Sequence, residues 1–141
     1  MIPPAEEVPF VPFDAIQAAS VRTWPVDPSL QILVDERTPC VKIEDAKGGG
    51  APYFPRLGVC LDRRTGMVLA QEMSGADEAF GQDAGRAVES GFARMARRPA
   101  RVYFVNPNLR KALDPWLRSI DVPGAVCLMP DYLEQLWSML A

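Results

Sequence analysis

The sequence predicts a mixed α/β domain in which an antiparallel hairpin is followed by alternating helices and strands. Three observations predict this class. Residues 57–73 place apolar positions on either side of a polar turn that ends in Gly66. Two later runs, 101–105 and 125–129, have the apolar composition of strands, and amphipathic segments with helical spacing separate and follow them. Strands joined by helices form right-handed parallel crossovers, so the predicted sheet is mixed, with helices packed on it.

The first residues predict an arm. Four prolines within residues 1–13 favour an extended, polyproline-like backbone, and the aromatic residues Phe10 and Phe13 lie between or beside them. Such apolar residues favour a docked arm, either on the body or on a neighbouring subunit. We therefore expect an arm at residues 1–13 and a single α/β domain at residues 14–141, opened by a short helix that begins at Asp14.

Two strands are predicted ahead of the hairpin. Residues 30–35 form an apolar run that ends at the turn 36–39, and residues 40–44 alternate between apolar and polar. The loop 45–55 carries three consecutive glycines. A phosphate-binding P-loop needs Lys and Ser or Thr after its last glycine, whereas residues 51–53 are Ala, Pro and Tyr, so this loop is interpreted as a connector.

The second half of the chain alternates helices and strands. A helix is predicted over residues 74–98, ended by Pro99, because apolar residues recur at helical spacing and acids precede arginines. The run 101–105 is typical of a strand that is buried on both faces and parallel to a neighbour. Asn106 and Pro107 then supply the N-cap and first residue of the next helix.

The final elements are predicted from proline positions and apolar spacing. Asp114-Pro115 predicts either a kink in the preceding helix or a cap and restart. A last strand at 125–129 precedes a helix that opens at Pro130-Asp131. We expect six buried strand residues: Val59, Leu61, Val102, Phe104, Val126 and Leu128. We expect seven helical residues to cover the sheet: Phe80, Val88, Phe92, Leu113, Leu117, Leu133 and Leu136.

Composition excludes several classes of function. The chain has no histidine, which removes histidine-based acid–base catalysis, Ser-His and Cys-His pairs, and most zinc sites. The net charge of −3 argues against general nucleic-acid binding. The N-terminus lacks the pattern of a signal peptide, and no 18-residue apolar run is present. With three cysteines and no C-x-x-C spacing, a cytoplasmic location with reduced thiols is expected.

Candidate binding residues follow from the predicted sheet. Ligands of open α/β sheets bind beyond the carboxyl ends of the parallel strands, where Asn106, Asn108 and Asp131 lie. The adjoining helix N-termini attract anions. Asn106 and Asp131 are equally explained as helix caps.

The element order resembles a known fold. Three antiparallel-type strands followed by αβαβα, over about residues 40–141, are similar to the ribonuclease H-like fold of nucleases, transposases and integrases. The resemblance implies two metal ions held by carboxylates on the first strand, at the end of the fourth strand and on the last helix. It assigns these positions to Glu44 or Asp45, Asn106, and Asp131 or Glu134. A neutral Asn106 weakens Mg²⁺ binding, which puts catalytic activity in doubt.

A second resemblance is to an uncharacterised bacterial domain family without an assigned activity, over roughly the C-terminal 85 residues. Five segments carry it: Leu57-Gly58-Val59, Thr65 to Leu69, Arg98-Pro99 with Val102, Leu113-x-x-Trp116-Leu117, and Val122-Pro123. These residues mostly form the fold, and the resemblance implies no catalytic residues.

The sequence therefore favours a non-catalytic binding or assembly domain of a bacterial cytoplasmic protein, with no cofactor or metal. A protein partner or self-association, through the proline-rich arm among other surfaces, is expected, while membrane and nucleic acid are not. The alternative is a ribonuclease H-like nuclease or phosphoryl-transfer domain, active or degenerate, that uses Mg²⁺. Its catalytic carboxylates would be Asp45, Asp62, Asp131 and Glu134.

Overall fold

The computed structural model describes residues 9–38, 56–74 and 80–139. These residues form a mixed α/β fold, as predicted. The elements, in chain order, are α1 (Ala15–Arg22), β1 (Val26–Arg37), β2 (Arg56–Asp62), β3 (Val68–Ser74), α2 (Gln82–Met95), β4 (Arg98–Phe104), α3 (Pro107–Ser119), β5 (Gly124–Val126) and α4 (Asp131–Met139). The predicted strand at 40–44 and the loop at 45–55 lie outside the described residues.

The strands form one mixed sheet in the order β3-β2-β1-β4-β5. The hairpin strands β2 and β3 are antiparallel, and β2 is also antiparallel to β1. On the other side, β1, β4 and β5 run parallel. The predicted apolar strand, β4, therefore has a parallel neighbour on each side and lies next to the central strand β1.

Side-chain alternation along β1 divides the core between the two faces of the sheet. Ile32 and Val34 pack with Phe92 of α2 and Leu113 of α3, and residues of α1 join the same cluster. Leu33 points the other way and packs with residues of β2 and α4. We call these two sides the three-helix face and the α4 face.

Local signals position the hairpin and the helix α1 as predicted. Asp62 accepts hydrogen bonds from the N–H groups of Arg64 (2.8 Å) and Thr65 (3.2 Å) in the hairpin turn. Gly66 has φ of +77°, which favours glycine. Asp14 caps α1 through the N–H groups of residues 16 and 17.

The helix predicted over residues 74–98 is shorter in the structure. Ser74 belongs to β3 and Arg98 belongs to β4. The helix ends at Met95 because Ala96 adopts a left-handed conformation and its N–H bonds to the Phe92 carbonyl. The Arg98 N–H then bonds to the carbonyl of Pro25, so the chain has entered the sheet before Pro99.

The last strand is also shorter than predicted. Only residues 124–126 pair with β4, and after the Cys127 N–H has bonded to the Phe104 carbonyl the chain leaves the sheet. Val126 is 49% exposed and Leu128 is 93% exposed. The prediction that both are buried is wrong, because β5 is an edge strand and its end lies beyond the covering elements. By contrast, α3 continues through Pro115 as one helix.

The other core predictions are confirmed for the residues that follow: Val59, Leu61, Val102, Phe104, Val88, Phe92, Leu113, Leu117 and Leu133. Phe80 and Leu136 are half-buried and pack against the core. No helix among the described residues is long and apolar enough to cross a membrane.

Candidate functional site

Asn106 and Asn108 lie at the carboxyl end of β4, where the sequence placed a binding site. The Asn106 side chain accepts a hydrogen bond from the Asn108 N–H at 2.9 Å and caps α3. The backbone carbonyl of Asn106 accepts the Arg110 N–H at 3.2 Å. Asn106 therefore serves the start of the helix, while Asn108 is exposed in the first turn.

Asp131 and Glu134 are brought together on the exposed side of α4. Both lie in the first turn of the helix, and with Gln135 and Ser138 they line a shallow groove. The N–H groups of Leu133 and Glu134 bond to the carbonyl of Pro130, and Asp131 is the first helical residue. The interpretation of Asp131 as the cap preceding this helix is therefore wrong. Its charge still lies at the favourable end of the helix dipole.

The remaining predicted acids do not join this groove. Asp62 is engaged by backbone N–H groups in the hairpin turn. Glu44 and Asp45 lie outside the described residues. Within ranges 9–38, 56–74 and 80–139, no three Asp, Glu or Cys side chains are grouped so that they could hold a metal ion.

The sequence reasoning missed a buried polar cluster between β1 and α4. Asp35, near the carboxyl end of β1, is only 2% exposed, and Trp137 of α4 is 7% exposed. The Trp137 indole N–H donates to Asp35 Oδ2 at 2.9 Å. Arg37 Nε donates to the same oxygen at 3.3 Å. The Arg37 guanidinium also lies 5.5 Å from the centroid of the Trp137 ring, within the range of a cation–π contact.

Strand geometry and helix spacing create this cluster. Asp35 and Arg37 are two residues apart on β1, so they share the α4 face with Leu33. On α4, Leu133 and Trp137 are four residues apart and occupy one side of the helix. Leu133 packs on the apolar part of the sheet, and Trp137 reaches the acid at its end. The signal in the sequence was an acidic residue that directly follows the apolar run 32–34.

Burial determines the electrostatics of Asp35. Loss of solvent raises the pKa of its carboxyl group above the ordinary value, and the bonds from Trp137 and Arg37 oppose that rise. A buried carboxylate is costly unless it is paired and hydrogen-bonded, and here one oxygen receives both donors. The cluster therefore ties α4 to the central strand of the sheet.

Glu36, the next residue, ties α2 to the sheet on the three-helix face. Its carboxylate accepts the N–H groups of Gly81 (2.6 Å), Asp83 (3.1 Å) and Ala84 (3.1 Å) at the start of α2. The carboxylate thereby satisfies N–H groups that a helix leaves without an internal partner. Burial raises the pKa of Glu36, and the bonds from Gly81 and Ala84 oppose that rise. Two consecutive acids thus anchor elements on opposite faces.

A cleft of about 220 Å³ lies between the arm and helices α2 and α3. Phe13, Arg86, Glu89 and Trp116 are among its lining residues. Burial raises the pKa of Glu89, and the negative charge of Asp14 adds to the rise. This cleft combines aromatic surface with charged groups, a composition suited to holding a small ligand or a side chain of a partner.

The described residues form a mixed α/β domain. Its two buried strand carboxylates, Asp35 and Glu36, bind α4 and the start of α2 of the same domain. The chain belongs to a family described as a domain of unknown function, DUF6930, which matches residues 36–140. This agrees with the resemblance to a family without an assigned activity, and extends the match beyond the C-terminal 85 residues. No curated protein and no solved structure matches the chain.

Proposed function

We propose that the chain is a non-catalytic binding or assembly domain. The observation that carries the proposal is that Asp35 is buried and hydrogen-bonded to side chains of its own domain. This carboxylate lies near the carboxyl end of the central strand, where α/β sheets place their ligands. Its Oδ2 atom is bonded by the indole of Trp137 and lies beside the guanidinium of Arg37.

The two donors oppose a catalytic role for Asp35. Two divalent ions in one site repel each other and need several carboxylates to offset that repulsion. The positive charge of Arg37 adds to the repulsion, and the indole N–H of Trp137 occupies a lone pair that a metal would use. A metal that used Asp35 Oδ2 would therefore compete with the polar contact between α4 and the sheet.

Exposed apolar side chains support a protein partner. Large apolar residues with 41% to 93% exposure include Val68, Met67, Met73, Met139 and Leu128. Such residues mark interaction surfaces when they are contiguous. Met67, Val68 and Met73 belong to the same hairpin, so this hairpin is the favoured surface, and the exposed Phe10 of the arm is a second one.

The test is an assay for metal-dependent cleavage. Purified protein with Mg²⁺ or Mn²⁺ should leave single-stranded and duplex DNA and RNA intact, and NMR shifts of residues 35, 131 and 134 should not respond to the metal at micromolar concentrations. Cleavage that requires metal and disappears in Asp131→Asn or Glu134→Gln would overturn the proposal.

The alternative is a ribonuclease H-like nuclease or phosphoryl-transfer domain, active or degenerate, with Mg²⁺-dependent carboxylates. The observation that favours it is the element order from β1 onward, which is three strands followed by αβαβα. In that comparison, Asp35 would supply the first-strand acid in place of Glu44 or Asp45. Loss of cleavage in Asp35→Asn, with normal cleavage in the surface variant Asp27→Asn, would support the alternative.

We also propose that the protein acts in a bacterial cytoplasm. Cys60 supports a reducing compartment, because its thiol is free and buried in the core. Burial raises the pKa of this thiol to about 12, so the reactive thiolate is disfavoured.

A further inference from the structure

Among the described residues, the two edges of the sheet differ in how well they are protected. At one edge, β5 has only three residues, and short edge strands resist pairing with other chains. At the other edge, β3 has seven residues, Val-Leu-Ala-Gln-Glu-Met-Ser, with no proline and no lysine. Proteins commonly place proline and lysine on edge strands to prevent association, so β3 is the less protected edge.

The outer side of β3 is a groove. Residues 68–72 form one wall, and Ser90 and Arg94 of α2 form the other. Val68 is 41% exposed and Met73 is 57% exposed, while Gln71 between them is also exposed. An edge strand beside a helix accepts an additional strand through main-chain hydrogen bonds, and side-chain contacts then select the partner.

Charges along this groove are complementary under two-fold symmetry. Arg94 donates to the Leu69 carbonyl at 2.7 Å, and Glu72 accepts the hydroxyl of Ser90 at 3.3 Å. Both charged side chains therefore lie on the α2 side of β3. In an antiparallel pair of β3 strands centred on Gln71, the partner's Glu72 lies opposite Ala70. Ala70 is next to Leu69, whose carbonyl accepts the hydrogen bond from Arg94.

The same charges select this register. Antiparallel pairing across a two-fold axis sets one residue opposite itself, and a centre at Glu72 would place two carboxylates opposite each other, which is unfavourable. A centre at Gln71 avoids this repulsion and sets each Glu72 opposite the partner's Ala70, next to Leu69, whose carbonyl accepts a hydrogen bond from Arg94.

We propose that β3 pairs antiparallel with β3 of a second copy of this chain, centred on Gln71 and framed by two Arg94–Glu72 ion pairs. The resulting dimer joins the two described five-stranded sheets into one continuous sheet through an isologous interface. This inference rests on the proposed assembly role and names the partner as the chain itself.

The experiment measures mass by light scattering and sedimentation over a concentration series of the full chain. Wild type should reach twice the mass of one chain. Gln71→Lys and Gln71→Glu should each remain monomeric at concentrations where wild type is dimeric, with dissociation constants raised at least tenfold, because each places like charges opposite each other. An equimolar mixture of the two variants should recover the dimer mass.

Val126→Lys is the matched control, because it adds the same charge to an exposed position on the opposite edge and should leave the dimer intact. Far-ultraviolet circular dichroism of each variant checks its fold. A monomeric wild type, or a dimer that persists in Gln71→Lys, would overturn the inference. Either result leaves the non-catalytic assignment in place, since that assignment depends on the metal and cleavage assays.

Discussion

Asp35 and Glu36 show how two adjacent residues can anchor two opposite layers. Because side chains alternate along a strand, the first carboxylate reaches α4 and the second reaches the start of α2. Both are nearly inaccessible to solvent. Burial raises the pKa of each carboxyl group, so these anchors carry an electrostatic cost that depends on pH.

Asp35→Asn should change how stability depends on pH. The folded protein holds the Asp35 proton to higher pH than the unfolded chain, whose carboxyl titrates near 3.8, so ionisation destabilises the fold as pH rises above that value. Asparagine keeps an acceptor for the Trp137 indole and carries no charge. The free energy of unfolding of the variant relative to wild type, from urea titrations, should therefore increase between about pH 4 and pH 7.

Asp27→Asn is the control, with the opposite sign. Hydrogen bonds from Ser29 lower the pKa of Asp27, so its contribution to stability is present above the unfolded pKa and is lost as pH falls. This variant should lose stability relative to wild type as pH rises. If Asp35→Asn followed the same trend as Asp27→Asn, the electrostatic account of the buried cluster would be wrong.

At the scale of elements, β2 and the start of α2 approach each other closely at Gly58. A Cβ atom built on Gly58 would lie 2.3 Å from the Asp83 carbonyl carbon and 2.4 Å from the Ala84 nitrogen. Both of these atoms belong to the backbone, so they cannot move away as a side chain would. Glycine at position 58 is therefore what lets α2 approach the sheet closely enough for Glu36 to cap it.

Gly58→Ala should destabilise the protein by about 1–3 kcal/mol or more, since the helix must shift away from the sheet and from Glu36. Gly85→Ala is a matched control within α2, where the added Cβ would lie 3.5 Å from Leu113 and Val11 side-chain atoms. This second variant should be neutral or gain up to about 1 kcal/mol from helix propensity. Urea denaturation of both measures the difference, and equal effects would contradict the close approach.

Sequence patterns predicted the elements whose signals are local. The turn at Asp62–Gly66 and the cap and proline at Asn106-Pro107 each depend on side chains within a few residues, and both form as expected. The Asp35–Trp137 bond joins residues 102 positions apart, and no local pattern encodes such a pairing. The exposure of Val126 and Leu128 was missed for a related reason, because apolar composition reveals neither that a strand lies at an edge nor where it leaves the sheet.

At the scale of the whole molecule, the described end of the arm is part of the body. Val11 is 8% exposed, and its N–H bonds to the Ala112 carbonyl at 2.8 Å. Its side chain lies against Gly81 and Gly85, where glycine leaves room for it. The docking of the arm on a neighbouring subunit stays a proposal, while Val11 contacts helices of its own chain.

Two deletions should separate these roles. Removal of residues 1–9 keeps Val11 and should leave the melting temperature nearly unchanged. Removal of residues 1–13 also removes the buried Val11 side chain and should cost about 1.5–3 kcal/mol. Calorimetry measures both, and equal melting temperatures would contradict the anchoring role of Val11. Because the proposed dimer uses β3, neither deletion should change the oligomeric state measured by light scattering.

The parallel pairing of β1 with β4 has a consequence for folding during synthesis. The hairpin β2–β3 can close once residue 74 has left the ribosome, since its contacts are local. Its neighbour β1 must wait for β4, which ends at Phe104, before its second edge is paired. Non-local pairing of this kind slows folding. The nascent chain therefore leaves one edge of the central strand β1 unpaired for part of translation, and unpaired strand edges make incompletely folded chains prone to aggregation.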